Sequence, residues 1–279
     1  MQTDPGINVQ GKPRVWAWTG ASFEPGEAVP ATDRGFRYGM SVFESFPVRN
    51  GIGIFLNAHL EKLREACQMT GLAAPPGALD ECARLLKQSG NGFARIYVTA
   101  GDGPVTAACD NCRLLILIEP RDEIPAHVYH RGYDLHLHPG IHLPLFAGLK
   151  TGNYWSNLIA FREGVAAHCN ETLLFSRAGH LISACMANVF IVKDGRVRTP
   201  GPGTGARSGV TRAWVQRQVH VEETLFTRAE TAGADEIFLT SSWLGIMPAA
   251  SLAGRPLKDR AVSTRLLEAY RNQVHGKPE

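Results

Sequence analysis

Long apolar runs are missing from this chain, and so is any strong charge of one sign. No stretch approaches the length that a membrane-crossing helix needs. Residues 1–20 lack the charged-then-apolar order of a signal peptide, so the expectation is a cytoplasmic protein with no membrane partner. Lysine and arginine number 29 against 26 aspartates and glutamates, a net charge of +3 without single-sign blocks. That balance argues against nucleic acid as a partner and leaves room for a small anionic ligand. Cysteine is scarce: Cys67, Cys82, Cys109, Cys112, Cys169 and Cys185, several in apolar contexts that suit reduced thiols. Cys109 and Cys112 have no second pair of ligands at zinc spacing, so an ordinary loop is expected there, with a reversible disulfide the alternative, and no metal. His130, His136, His138 and His142 likewise have no carboxylate or cysteine at ligand spacing. Repeats and low-complexity segments are absent.

What is present fits a globular chain of 279 residues with 44% hydrophobic content, enough for two domains of ordinary size. Alternation predicts strands at 14–19 and at Ser41 to Val48; the turn signal Asn50-Gly51 then leads to a returning strand at Gly53 to Leu56. Asn57 to Gly71 reads as a helix capped by Asn57, with Leu60, Leu63, Ala66, Cys67 and Met69 on its apolar face. A second helix is expected over 78–88, and strands over 93–100 and 113–119. Prolines and charges make Pro120 to Pro125 the linker, dividing the chain into domains 1–121 and 122–279. Beyond it come strands at Tyr133 to His138, 171–176, 187–192, 196–199 and 235–240, with helices at Gly152 to His168 and from Gly209 to Gln218. Strands and helices mix without strict alternation, which indicates an α+β fold.

Three places can carry chemistry. Gly148-Leu149-Lys150-Thr151-Gly152-Asn153 sets a lysine between glycines at a strand-to-helix junction, after the apolar stretch Leu143 to Phe146. Partial burial there would favour the neutral, nucleophilic amine; a solvated loop lysine is the plain alternative. Gly201 to Arg212 is a glycine-rich loop running into a helix, with the hydroxyls of Ser208 and Thr211 beside free backbone N–H groups. That is a phosphate cradle, or else a linker, and it lacks the Gly-Lys-Ser/Thr ending of a P-loop. Thr240-Ser241-Ser242 ends a strand with three hydroxyls, which can add phosphate contacts or simply form a turn.

In this order these segments resemble the class IV aminotransferases, the fold-type IV pyridoxal 5′-phosphate enzymes. That group includes branched-chain and D-amino acid aminotransferases and 4-amino-4-deoxychorismate lyases. The carriers are Asp33-Arg-Gly-Phe-Arg-Tyr-Gly39 with Val42-Phe43-Glu44, His59-Leu-Glu-Lys62-Leu63, Gly148 to Tyr154, Ser208 to Arg212, and Phe238 to Ser242 with Ile246 and Pro248. The resemblance implies a two-domain α+β fold like D-amino acid aminotransferase, the larger C-terminal domain binding the cofactor. It implies a homodimer and a small amino acid or keto acid substrate. It also implies that Lys150 holds pyridoxal phosphate as a Schiff base and later moves the Cα proton. Lys62, Tyr154, Ser183, Asn188, Val210, Thr211, Ser241 and Ser242 would bind the cofactor, with Tyr38, Arg95 and Tyr97 on the substrate side. Two positions depart from the family's pattern. Lys62 stands where an arginine usually forks onto the phosphate. Ser183 stands where a glutamate normally keeps the pyridine nitrogen protonated. The first expectation is therefore an aminotransferase. The second is an aminodeoxychorismate lyase-type elimination, which Ser183 favours, and the third is a relative that has lost cofactor chemistry.

Overall fold

The structure, a computed structural model, describes residues 12–26, 29–143, 146 and 148–275. The polar start Met1 to Gly6 lies outside the described residues, as do positions 144 and 145 of the apolar stretch before Lys150. Two compact units are present: residues 12–122 with Leu149–Asn153, and residues 123–148 with 154–275, each within the described residues.

The first unit holds β1 (Arg14–Trp18), β2 (Phe23–Pro25), α1 (Arg34–Tyr38), β3 (Ser41–Arg49), β4 (Ile52–Gly53), α2 (Leu56–Thr70), α3 (Ala78–Leu86), β5 (Gly92–Thr99) and β6 (Arg113–Glu119). Its antiparallel sheet runs β2-β1-β6-β5-β3-β4. Alternation decides which face is which. Val42, Phe46 and Val48 of β3, Ala94, Ile96 and Val98 of β5, and Leu114, Ile116 and Ile118 of β6 share one face. That face closes over Leu60, Leu63, Ala66 and Cys67 of α2 and Leu79, Cys82 and Leu86 of α3. Buried with them, Glu44 and His59 meet at 2.8 Å across β3 and α2.

The segment expected to be only turn-rich contains α1. Asp33 caps it through Gly35 N–H, and Gly39 ends it in the left-handed region at φ 69°. Asn57 does not cap α2. The helix starts one residue earlier, after Phe55 at φ 54°, and Asn57 lies inside its first turn. The returning strand after Asn50-Gly51 is only β4, two residues long, because the chain turns into α2 at once.

The second unit holds α4 (Ala126–Arg131), β7 (Tyr133–Leu137), α5 (Trp155–Ala166), β8 (Glu171–Phe175), β9 (Leu181–Ala184), β10 (Asn188–Lys193), β11 (Arg196–Pro200), α6 (Val210–Gln218), β12 (Val221–Thr224), α7 (Arg228–Ala232), β13 (Glu236–Ser241), β14 (Gly245–Leu252), β15 (Arg255–Pro256) and α8 (Ala261–His275). Its sheet runs β12-β11-β10-β13-β14-β7-β8-β9, with β15 on β14. The pairs β14/β7, β7/β8 and β11/β12 are parallel. Leu135, Leu173, Phe175, Leu181, Val189, Ile191, Ile237, Leu239 and Met247 form the core. Helix α5 begins at Trp155, three residues later than the sequence suggests, because Leu149–Asn153 pairs with the first unit. The final helix α8 escaped the sequence pattern. Its start is fixed from outside the helix: the buried Glu236 carboxylate accepts from Val262 and Ser263 N–H at 3.1 and 2.7 Å.

Candidate active site

In the first unit, the face of β3, β5 and β6 opposite the core carries Phe43, Ser45, Arg95, Tyr97, Leu115 and Leu117. The segment around Lys150 adds an edge to it. Phe43 N–H donates to the Lys150 carbonyl at 2.9 Å, Thr151 bridges Val42, and Gly152 N–H donates to the Ser41 carbonyl at 3.0 Å. Asn153 Nδ2 donates to the Gly39 carbonyl at 3.0 Å. A Cβ on Gly39 would run into the Asn153 carboxamide, so the glycine serves both the left-handed turn and this close approach. These bonds aim the Lys150 side chain along the face. Nζ lies 3.5 Å from Ser45 Oγ and 4.9 Å from the Phe43 ring centroid. Phe43 and Tyr97 are cross-strand partners, stacked at 5.2 Å with 28° between their planes. Arg95, two residues along β5, is paired with Glu119 at 2.6 Å, and Arg121 meets the same carboxylate at 2.7 Å. Lys150, Arg95 and Tyr97 therefore share one surface. Tyr38, at the end of α1, is 46% exposed under the Arg37 guanidinium. Lys62 projects from α2 and pairs with Glu65 at 2.8 Å, a part-exposed i,i+3 contact of small energetic value.

The Asp33-Arg34 pair builds rather than reacts. Asp33, fully buried, accepts from Gly35 N–H, Thr99 Oγ and Arg113. Arg34, 1% exposed, donates to the carbonyls of Ala100, Gly101, Pro104, Ala107 and Ala108 and so shapes the whole loop after β5.

In the second unit the glycine-rich loop does lead into a helix start. Gly209 is the N-cap of α6 with no side-chain cap, so the first N–H groups have no partner within the helix. Val210 and Thr211 are buried, and Thr211 Oγ1 lies out of solvent without a hydrogen bond. Thr240 Oγ1 is orphaned in the same way. Thr240 is the β13 partner of Asn188, and a Cβ on Gly209 would collide with Asn188 Oδ1, so these groups are neighbours. Buried hydroxyls lacking acceptors, beside free N–H groups at a positive helix end, suit an oxyanion such as a phosphate. Asn188 itself braces the loop, with Nδ2 donating to the Arg207 carbonyl at 2.7 Å. Arg212, 1% exposed, ties Pro200, Arg207 and Glu223 together beneath it. Burial pulls the Arg212 pKa below its ordinary value, with Glu223 opposing. Ser241 Oγ accepts from Leu244 N–H and shapes the β13–β14 turn, with Ser242 next in that turn. Tyr154 is the N-cap residue of α5.

Ser183 lies on β9 opposite Leu174, half-buried, and its hydroxyl makes no hydrogen bond among the described residues. The acid near it is Glu171, which the sequence pattern did not single out. Glu171 is 3% exposed, and its carboxylate accepts from Thr172, Cys185 and Met186 N–H at 2.8, 3.2 and 3.0 Å. It fixes the small-residue turn Ala184–Ala187 from behind. Burial first, and the Glu171 charge second, push the Cys185 thiol well above its ordinary range. The available signal was a charge opening an otherwise apolar strand.

Residues 41–252 match the family described as amino-transferase class IV. The aminodeoxychorismate lyase of Vibrio harveyi is 28% identical over 244 residues, 82% of this chain and 89% of that protein. The crystal structure of 4-amino-4-deoxychorismate lyase from Pseudomonas aeruginosa superposes with a TM-score of 0.84 at 27% identity, covering 93% of this chain and 99% of that one. The branched-chain aminotransferase of Thermoproteus uzoniensis, solved with norvaline, superposes at 0.83 and 21% identity, covering 95% and 96%. At that identity the likeness is one of fold. The same fold is found in a branched-chain amino acid aminotransferase solved with pyridoxamine 5′-phosphate.

Proposed function

From a chain that belongs to the class IV amino-transferase family, whose members are pyridoxal phosphate enzymes, we propose a lyase that binds an amine-bearing substrate and ends in elimination rather than amino transfer. The observation that carries it is Ser183. A hydroxyl occupies the place where the family's resemblance calls for a carboxylate, and the nearby Glu171 carboxylate is turned onto backbone N–H groups. A serine can hydrogen-bond a ring nitrogen but cannot hold a proton on it. The bound cofactor supplies an electron sink for the substrate's amine-bearing carbon. That sink is weaker without a ring proton, which disfavours slow reprotonation steps and favours prompt loss of a leaving group. The similarity to two aminodeoxychorismate lyases over most of both chains supports the same reading.

The residues of this chain have separate tasks. Lys150 Nζ would hold the cofactor's aldehyde, and its amine would move the proton of the carbon that bears the substrate amine. Ser45 Oγ and the Phe43 ring aim that amine. The start of α6 with Thr211 fits the cofactor's phosphate. Amino transfer is the second reading, supported by the fold shared with branched-chain aminotransferases.

The test is to incubate the protein, loaded with pyridoxal phosphate, with 4-amino-4-deoxychorismate and then with amino acid and 2-oxo acid pairs. Equimolar 4-aminobenzoate and pyruvate, with little amino transfer, is expected. Amino transfer without 4-aminobenzoate would install the second reading. Ser183→Glu is expected to raise amino transfer; an unchanged rate would remove the argument from Ser183. Borohydride reduction should leave the cofactor on Lys150, and a Lys150→Ala variant should trap none.

A further inference from the structure

All six cysteines are free thiols, and three of them gather in the first unit. Cys67 lies on the buried face of α2, 4% exposed, and Cys109 and Cys112 pack half-buried against the same core at the end of the loop that follows β5. Asp110 and Asn111 form a turn between the last two. A four-residue turn brings its end Cα atoms within about 7 Å, and a disulfide spans Cα separations of about 4.4–6.8 Å. Cys112 Sγ donates to the Cys109 carbonyl at 3.0 Å, so the second sulfur already lies over the backbone of the first cysteine. Among the described residues no group of three or more histidine, cysteine or acidic side chains could hold a metal ion, so the cluster is a set of thiols.

The turn is held in place from several sides. Cys109 forms a bridge with Leu72, just past the end of α2. Ala73 N–H donates to the Cys112 sulfur. A Cβ on Gly101 would strike the Asn111 carbonyl, so the two ends of the loop touch. Arg34 braces the loop between them through Ala107 and Ala108. Burial raises the Cys112 pKa, and the Ala73 N–H acts against that rise by steadying the thiolate. Cys67 is different: burial first, and Cys112 second, push its thiol up to about 12.

We infer that Cys109 and Cys112 are a redox modification site, a thiol pair that a low-molecular-weight disulfide converts into an intramolecular disulfide. The Cys109 thiolate attacks one sulfur of the small disulfide; a mixed disulfide forms and one small thiolate leaves. The Cys112 thiolate then attacks the Cys109 sulfur. The Cys109–Cys112 bond forms, the mixed bond breaks and the second small thiolate leaves. The two cysteine protons end on the two small thiols, so two cysteines are oxidised and one small disulfide is reduced. The second step occurs within a turn that is already formed, which favours it over attack by a thiol from solution. Cys67, sealed in the core and protonated, takes no part.

Glutathione disulfide is the probe. The cofactor-loaded protein is incubated with it, freed of excess reagent, and mapped by mass spectrometry, with thiols counted after unfolding. Two of the six thiols should be lost. The one tryptic peptide that carries both Cys109 and Cys112 should be lighter by two hydrogens and carry no glutathione, and dithiothreitol should restore it. Cys112→Ser should stop with one glutathione on Cys109, Cys109→Ser should form no link, and Cys67→Ala should form it as the wild type does. No loss of thiols, a lasting glutathione adduct on wild-type Cys109, or a link that joins the Cys67 peptide to this one would each overturn the assignment. The wild-type map alone decides it if a variant does not fold.

Discussion

Replacing Arg34 by methionine isolates what the guanidinium does, because the side-chain stem keeps its length and packing. The guanidinium, 1% exposed, spans five carbonyls of residues 100–108. Their fates differ once it is removed. The carbonyl of Gly101 keeps the Arg34 backbone N–H at 2.9 Å, so it stays satisfied. Pro104, Ala107 and Ala108 lie on an exposed loop and can turn to water, losing about 0.5–1 kcal/mol each. Ala100 is fully buried and loses a 2.6 Å bond, which leaves an acceptor stranded at about 2 kcal/mol. Relief from burying the charge offsets part of this. The expected loss is about 3 kcal/mol, or roughly 6–12 °C in unfolding temperature for a domain of this size. Urea unfolding of both proteins measures it, and limited proteolysis should show new cleavage within 102–110. A loss below about 1 kcal/mol, or an uncut loop, would refute the role assigned to Arg34.

Other substitutions probe the second unit. Gly209→Ala puts a Cβ against Asn188 Oδ1 and must shift the start of α6, so pyridoxal phosphate affinity should fall at least about tenfold in a fluorescence titration, with little change in the unfolding midpoint. Glu171→Ala removes the acceptor of Met186 N–H, while Cys185 N–H keeps the Thr172 carbonyl at 3.0 Å, and should cost about 1–3 kcal/mol in urea unfolding. His142 is held below its ordinary pKa of 6.5, by burial first and by His138 second. The unfolded chain therefore takes up that proton before the folded one does. Stability should fall as pH drops below about 6.5 until the lowered folded value is passed, and His142→Gln should flatten that slope in unfolding temperature against pH.

Much of the first unit was legible in the residues, for a local reason. From Ala94 to Thr99 strand β5 alternates in step with the burial of one face, and Leu60, Leu63 and Ala66 recur at helical spacing for the same reason, whereas the unbroken apolar run Leu114 to Ile118 of β6 reads as a strand buried on both faces and is fully buried on only one. The start of α6 was legible because glycines followed by hydroxyls announce a helix with open N–H groups. The cap of α2 was misread because Asn57 has the right chemistry but lies inside the helix, and a left-handed Phe55 leaves no local signature. Helix α8 was missed because its start depends on Glu236, 26 residues away.

The candidate site divides along the same line. The sequence alone determined that a glycine-flanked lysine and a hydroxyl-bearing helix start exist, since each is a property of neighbouring residues; that Ser183 replaces an acid is what the family resemblance implies. Only the tertiary structure decided what they face. It put Lys150 over Phe43 and beside Ser45 by pairing its segment with the edge of β3, and it turned Glu171 inward onto the backbone. It also gave Arg95 to Glu119 and made Arg34 a brace. Those outcomes depend on strand register and on partners distant in sequence, and a periodic pattern carries no record of either.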